Sequence, residues 1–175
     1  MRPTGSPARA GMPPRSAAAL SDRRQLLLRA ASLALLPLAP AAAKAQGKPR
    51  VEVWKDPNCG CCEEWVRHLG AHGFQVHVHD SGNTTARGRL GIPEALGSCH
   101  TAVVGGYAIE GHVPAPDIRR LLRERPAAVG LAVPGMPVGS PGMDGPLYRG
   151  RKDAFAVLLV ARDGSTQVFR AYPKG

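Results

Sequence analysis

Aromatic residues are scarce in this chain of 175 residues, at 5% of the total. A nucleic-acid-binding module that stacks bases on aromatic side chains is therefore not expected. Acidic residues are also few, 13 against 23 Lys and Arg, but the positive excess is unevenly placed. Residues 1–45 carry seven Lys and Arg and one Asp, whereas the rest of the chain has a net charge of only +4. The main part of the chain is thus mildly basic, which indicates a solvated surface rather than a nucleic-acid partner.

Long apolar runs are absent after residue 45, so the sequence predicts no membrane-spanning helix in the main part of the chain. Before that point, an Arg-Arg pair at positions 23–24 is followed by an apolar stretch over residues 26–43. The small residues Ala43-Lys44-Ala45 come next. This order of charged, apolar and small residues is typical of a secretory signal peptide.

We predict that residues 1–45 are a signal peptide, cleaved near Ala45-Gln46, and that residues 46–175 form the mature domain. The arginine pair is similar to a twin-arginine signal, although export by the general route stays open. The alternative is an N-terminal membrane anchor, which Arg29 and two prolines in the apolar stretch disfavour. Export places the domain outside the cytoplasm, in contact with the membrane only during transport, where disulfides are permitted.

The apolar pattern of residues 46–175 alternates between the periods of strands and of helices. It predicts the order strand, helix, strand, helix, strand, strand, helix, and then a β-hairpin over residues 155–169. A long loop is expected over residues 130–146, and the dipeptide Asp163-Gly164 predicts the hairpin turn. A strand that ends in a cysteine turn and leads directly into a helix is the thioredoxin layout. The predicted fold is therefore α/β, a thioredoxin-like fold with an added C-terminal β-hairpin.

Cysteine is rare, with four residues in the chain, yet Cys59, Cys61 and Cys62 lie within four positions. Cys59 and Cys62 form a C-x-x-C pair, and Cys61 adds a third thiol between them. At a helix N-terminus, the backbone N–H groups and the helix dipole favour thiolates, which are both metal ligands and redox nucleophiles. The turn therefore predicts a site for one or two soft metal ions or a redox dithiol. A structural disulfide among these residues and Cys99 is the alternative.

Proline is absent between Pro93 and Pro114, a region in which most thioredoxin-like proteins carry a cis-proline facing the cysteine turn. This chain has Cys99 and His100 there instead, directly before the predicted strand at residues 101–104. A sulfur and an imidazole in this place favour metal coordination over plain dithiol exchange. We predict Cys99 as a ligand, and His100 as a ligand or as a residue that orients one.

Methionine is equally rare after the leader, where only Met136 and Met143 occur. They flank a Pro/Gly-rich loop, so helical core packing does not explain them. Thioether sulfur is a soft ligand that selects Cu(I), and we predict both residues as metal ligands. The alternative is that they cover nearby apolar surface. His112 is a further candidate ligand, whereas the four histidines between residues 68 and 79 are expected on solvated faces.

Several of these motifs together resemble the CopG-like copper-resistance family, known for a long time only as a domain of unknown function. They cover most of residues 50–145. The matching stretches are Lys55-Asp56-Pro57 with Cys59-Gly60-Cys61-Cys62 and Trp65, Ser98-Cys99-His100-Thr101-Ala102, Glu110-Gly111-His112-Val113-Pro114, and Pro134-Gly135-Met136-Pro137 through Gly142-Met143. This combination is far more specific than a C-x-x-C pair alone.

The resemblance implies a thioredoxin-like fold in the periplasm and a cysteine-bridged copper site of one or several ions. Carried over residue by residue, the thiolates are Cys59, Cys61, Cys62 and Cys99. His112, Met136 and Met143 match further motif positions. The implied cofactor is copper, bound for copper resistance by sequestration, transfer or Cu(I)/Cu(II) interconversion. The implied partners are copper ions and other copper-handling proteins of the periplasm.

Two other functions stay open at this point. A thiol–disulfide oxidoreductase needs only Cys59 and Cys62, although Cys61 and the missing cis-proline count against it. A zinc-binding domain could use the same thiolates, but methionine does not help to bind zinc. Whether the protein is an enzyme therefore stays open, and a metal-binding role is favoured.

Overall fold

Seven strands form one mixed sheet in residues 47–175, the part of the chain that the computed structural model describes. The strands are β1 (Arg50–Lys55), β2 (Gln75–His79), β3 (His100–Val104), β4 (Tyr107–Glu110), β5 (Gly130–Ala132), β6 (Phe155–Val160) and β7 (Thr166–Tyr172). The α-helices are α1 (Gly60–Ala71), α2 (Asn83–Arg89) and α3 (Ala115–Glu124), and short 3₁₀ helices lie at Glu94–Leu96 and Pro146–Tyr148. The predicted signal peptide, residues 1–45, lies outside the described residues.

The strands follow the order β2-β1-β3-β4-β5-β6-β7 across the sheet. β1 is parallel to β2 and antiparallel to β3, which is in turn antiparallel to β4. β5 runs parallel to β4, and the antiparallel pair β6–β7 completes the sheet. The α/β prediction is confirmed, and the arrangement fits the predicted thioredoxin-like fold with an added C-terminal β-hairpin. Within residues 47–175, none of the helices has the length and apolar character needed to cross a bilayer.

Strand β5 corrects one sequence-based expectation, because a loop is predicted from residue 130 onward. Three residues carry no readable period, so the sequence offers little sign of this strand. Gly130 pairs with Ala108 on β4, and a Cβ atom at position 130 would lie 1.8 Å from the carbonyl oxygen of Ala108. Glycine is required there for close strand approach rather than for loop flexibility. β5 thereby joins the C-terminal hairpin to the rest of the sheet.

The main core lies between one face of the sheet and the helices α1 and α3. Val51 and Val53 of β1 pack there with Trp65 of α1 and with Ile118 and Leu121 of α3, and all five are fully buried. Side chains alternate along a strand, so the neighbours of these valines point to the opposite face. α2 packs on that opposite face. The sheet is thus covered on both sides at β1 and β3, the strands that lead to and from the cysteines.

Candidate metal centre

All four cysteines meet at one end of the sheet. Cys59, Cys61 and Cys62 lie at the start of α1, directly after β1, and Cys99 lies directly before β3. β1 and β3 are antiparallel neighbours, so the end of β1 lies beside the start of β3, where Lys55 pairs with His100. The four sulfur atoms lie within 4.8 Å of one another. The Cys61 sulfur is 3.6 Å from that of Cys59 and 3.8 Å from that of Cys99.

A disulfide joins Cys59 to Cys62, the C-x-x-C pair, with 5.3 Å between their Cα atoms. Cys61 and Cys99 are free thiols. The bond leaves Cys99 out, so it closes the turn itself and does not tie the turn to β3. In this state two of the four sulfur atoms are not available as thiolates. The Cys62 sulfur lies 3.7 Å from the Cys99 carbonyl oxygen, to which it can donate a hydrogen bond only after reduction.

His112 lies beside the free thiol of Cys99, with 3.2 Å between its Nε2 and the sulfur. Its other nitrogen, Nδ1, is 2.8 Å from the carbonyl oxygen of Pro141. A carbonyl only accepts, so Nδ1 carries the proton and Nε2 presents a lone pair to the sulfur. Burial lowers the pKa of His112, which keeps the ring neutral. A neutral imidazole fixed through its second nitrogen is the usual form of a metal-ligating histidine.

His100 is fully buried and also lies beside Cys99, with 3.4 Å between its Nδ1 and the sulfur. Its ring packs against the indole of Trp65 at a centroid distance of 4.3 Å. Burial, and secondarily His112, lowers the pKa of His100 to about 3. Its Nε2 has no hydrogen-bond partner among the described residues. The ring is thus held through Nδ1 and through its packing on Trp65, while Nε2 is one of the few buried polar atoms without a partner.

Cys99 precedes a strand, so it lacks the helix N-terminus that favours thiolates at the cysteine turn. Burial, followed by the proximity of Cys61, raises the pKa of Cys99 to about 12. In the metal-free protein Cys99 is therefore a thiol at neutral pH. Thiolates bind soft metal ions, and a bound cation supplies the charge that compensates the loss of the proton.

Comparisons with known proteins agree with this geometry. A family model described as "Protein of unknown function, DUF411" matches residues 96–143, which contain Cys99, His112 and both methionines. A solved structure, "Copper resistance protein copG- Form 1", is 49% identical, covers 72% of this chain and 99% of its own, and has a TM-score of 0.66. The chain belongs to the CopG-like copper-resistance family. The second form of that protein gives 47% identity with the same coverage and TM-score, and no curated protein matches.

The loop of this CopG-like chain that carries the methionines packs on the cysteine turn through Gly142. A Cβ atom at this position would lie 2.5 Å from the carbonyl oxygen of Cys61 and 3.3 Å from Nδ1 of His112. Met143, the next residue, is buried, and its sulfur accepts a hydrogen bond of 3.2 Å from the Tyr148 hydroxyl. Met136 is 52% exposed. The two predicted methionine ligands are thus placed in different surroundings, one buried next to Gly142 and one on the surface.

Sequence reasoning missed the residues that hold Cys99 in position. Glu110, at the end of β4, is fully buried. It accepts hydrogen bonds from the backbone N–H of Ser98 at 2.7 Å, from Nε of Arg87 at 2.9 Å and from the hydroxyl of Thr101 at 2.7 Å. Arg87 also donates to the Ser98 carbonyl oxygen at 2.6 Å. Glu110 stands in one of the motifs that carry the family resemblance, which is the only sequence signal for this role.

His68 also departs from the expectation of a solvated face. It is half-buried, and its Nε2 accepts a 3.1 Å hydrogen bond from the backbone N–H of Ala115, the first residue of α3. Burial, with a smaller contribution from His72, lowers the pKa of His68 to about 4. A neutral ring with a free lone pair at Nε2 is what the N–H of Ala115 requires. His68 thus joins α1 to α3 and is not part of the cysteine cluster.

Proposed function

We propose that this chain is a periplasmic copper-binding protein of copper resistance, which binds Cu(I) through its cysteine cluster. The observation that carries the proposal is the convergence of four sulfur atoms within 4.8 Å, with Nε2 of His112 3.2 Å from one of them. Thiolate is a soft donor that selects Cu(I), and imidazole is a common ligand of copper. Both solved relatives are named as copper resistance proteins, which supports copper over other soft metals.

The donor set depends on the redox state of the turn. With the Cys59–Cys62 disulfide closed, Cys61 and Cys99 are the available thiols, next to His112. Two-electron reduction of the disulfide, with uptake of two protons, gives four thiols within the same space. The reduced form therefore has more donors for Cu(I), whether it holds one ion or several. A cleft of about 620 Å³ opens beside Cys61 and gives solvent a route to the sulfurs.

The test is a competition between the protein and a chromophoric Cu(I) chelator, for the reduced and the oxidised protein. We expect the reduced protein to take more Cu(I), or to bind it more tightly, and Cys61→Ser and Cys99→Ser to weaken binding strongly. Met143→Leu and Met136→Leu form a matched pair. Because Met143 is buried and directly follows Gly142, which packs on the turn, whereas Met136 is exposed, we expect Met143→Leu to have the larger effect. Failure of the reduced wild-type protein to compete would remove the proposal.

A thiol–disulfide oxidoreductase is the second candidate, because the disulfide joins the pair of cysteines that this activity needs. It predicts that the metal-free protein exchanges disulfides with a test substrate and that Cys61→Ala leaves this turnover intact. Copper binding requires no disulfide exchange, and it predicts that Cys61→Ser weakens Cu(I) binding strongly. A Cys61 variant is therefore assayed for both activities, since an oxidoreductase keeps its turnover and a copper-binding protein loses Cu(I). The zinc-binding alternative is tested by measuring the affinity for Zn²⁺. Because methionine does not help to bind zinc, Met143→Leu should leave that affinity unchanged.

A further inference from the structure

A second cluster of metal-ligating side chains lies on β1 and β2, apart from the cysteines. Glu52 pairs with His77, and Trp54 pairs with His79, in the parallel register of these two strands. Side chains two positions apart share a face, so His77 and His79 point to the same side of the sheet as Glu52 and Trp54. One ligand atom from each of Glu52, His77 and His79 lies within 4.8 Å of those of the other two.

The cluster is held in place before any ion binds. The His79 ring stacks on the Trp54 indole, with 5.0 Å between centroids and 12° between planes. Its Nε2 lies 3.0 Å from Oε2 of Glu52. The His77 ring meets that of His79 edge-on, at 4.8 Å and 81°. All three ligating residues stand on paired strands, whose backbone positions are fixed more firmly than those of a loop.

Solvent reaches the cluster, since the side chains of Glu52 and His79 are 31% and 38% exposed and His77 is exposed. The other carboxylate oxygen of Glu52, Oε1, faces the guanidinium of Arg50 at 3.6 Å. That contact leaves Oε2 for a ligand, although the positive charge of Arg50 lowers the affinity for a cation. A metal ion at Nε2 of His79 would replace the hydrogen bond to Glu52, and the ring proton would shift to Nδ1 or leave to water.

The donor chemistry differs from that of the cysteine cluster. Two imidazole nitrogens and one carboxylate oxygen, without sulfur, suit divalent first-row transition metals. Among these ions the stability order of N/O complexes places Cu(II) highest. We propose that Glu52, His77 and His79 form a surface site for a divalent transition-metal ion, with Cu(II) as the preferred ion. This site needs no thiol, so the inference goes beyond the proposed function and does not depend on it.

The test uses the oxidised protein with Cys61→Ser and Cys99→Ser, in which the disulfide consumes the other two cysteines. Cu(II) is added in the presence of glycine as a competing ligand, and binding is followed by calorimetry and by electron paramagnetic resonance. We expect one equivalent to bind with nitrogen coupling in the spectrum and to quench the fluorescence of Trp54, which stacks on His79. We expect His77→Ala to weaken binding at least about tenfold, since even residues that only orient a ligand are worth roughly 10- to 100-fold.

His72→Ala is the matched control, because His72 is also an exposed histidine but lies at the end of α1. It should leave the affinity unchanged, and Glu52→Gln should weaken it. His77 is exposed, so its replacement is not expected to disturb folding, and circular dichroism checks this for each variant. The proposal is overturned if His77→Ala and His79→Ala bind Cu(II) as the parent does, or if His72→Ala causes the same loss. Failure of Cu(I) binding at the cysteines would leave these outcomes untouched.

Discussion

Replacement of Glu110 gives the sharpest test of how Cys99 is held. Glu110→Ala removes a fully buried carboxylate and leaves Arg87, whose side chain is only 11% exposed, without its anionic partner. The backbone N–H of Ser98 also loses its acceptor. Removing one partner of a buried ion pair costs about 3–5 kcal/mol of folding free energy. We expect a loss of that size, together with weaker Cu(I) binding because Ser98 precedes Cys99.

Glu110→Gln is the matched variant, since it keeps the shape and loses only the charge. The amide oxygen can still accept from Ser98. The Thr101 hydroxyl can accept from the new amide group and turn its own proton to the carbonyl oxygen of Asn83, 3.1 Å away. Burial raises the pKa of Glu110 despite Arg87 and the hydrogen bonds, so the charged form is less favoured in the folded protein than in water. Arg87 loses its anionic partner in this variant too, so we expect Glu110→Gln to cost more than about 1 kcal/mol at neutral pH but less than Glu110→Ala, which also loses the hydrogen bonds.

The raised pKa also fixes the sign of the pH dependence. The contribution of Glu110 to stability is fully present below the unfolded-state pKa of 4.5, and it is lost as pH rises through the folded-state pKa. Relative to the Gln variant, the wild-type protein should therefore lose stability as the pH increases above 4.5. Urea unfolding of the wild-type protein and both variants, at several pH values and with m-values compared, measures all three effects. The reasoning is refuted if Glu110→Ala costs less than about 1 kcal/mol or if the Gln variant is as unstable as the Ala variant.

Three further predictions follow from single contacts. Gly142→Ala should lower the melting temperature and weaken Cu(I) binding, because φ is +88° and a Cβ would lie 2.5 Å from the Cys61 carbonyl oxygen. An unchanged melting temperature would contradict this packing. His68→Ala should cost about 1 kcal/mol by leaving the Ala115 N–H without its acceptor. Chemical unfolding should show that wild-type stability falls more steeply from pH 6.5 toward 4 than that of the variant, in which the buried His100 and His112 still contribute to the fall. Cu(I) binding at neutral pH should release about one proton more from the wild-type protein than from Cys99→Ser. Calorimetry in buffers of different ionisation enthalpy measures the number of protons released. Equal release would show that Cys99 is already a thiolate.

The sequence predicts the order of the long elements because their apolar periods extend over several residues. It also predicts that Cys99 faces the cysteine turn, because that follows from the order of strands in a thioredoxin-like sheet. Strand β5 is too short to carry a period. The role of Glu110 stays hidden for a different reason: on a strand that alternates between faces, a charged residue normally indicates solvent. Its burial depends on Arg87, which comes from another part of the chain.

The histidines show the same limit more clearly. Alternation places His77 and His79 on one face, but their partner Glu52 follows only from the parallel register of β1 and β2. Likewise, the spacing of His68 gives no sign of Ala115, which is brought to it by the packing of α3 on α1. Local patterns thus determine which way a side chain points, whereas its partners depend on pairings between distant segments.

The cysteine cluster is assembled by contacts that are independent of one another. The disulfide and α1 hold the turn, whereas Glu110 holds the backbone of Ser98, directly before Cys99. The carbonyl of Pro141 orients the ring of His112, and a 2.9 Å hydrogen bond from the Trp65 indole to the carbonyl oxygen of Val113 fixes the following residue to α1. Small metal-binding domains that lack a core fold only when the metal binds. Here buried side chains position the donors before any metal binds. The free energy of metal binding is therefore not needed to drive folding.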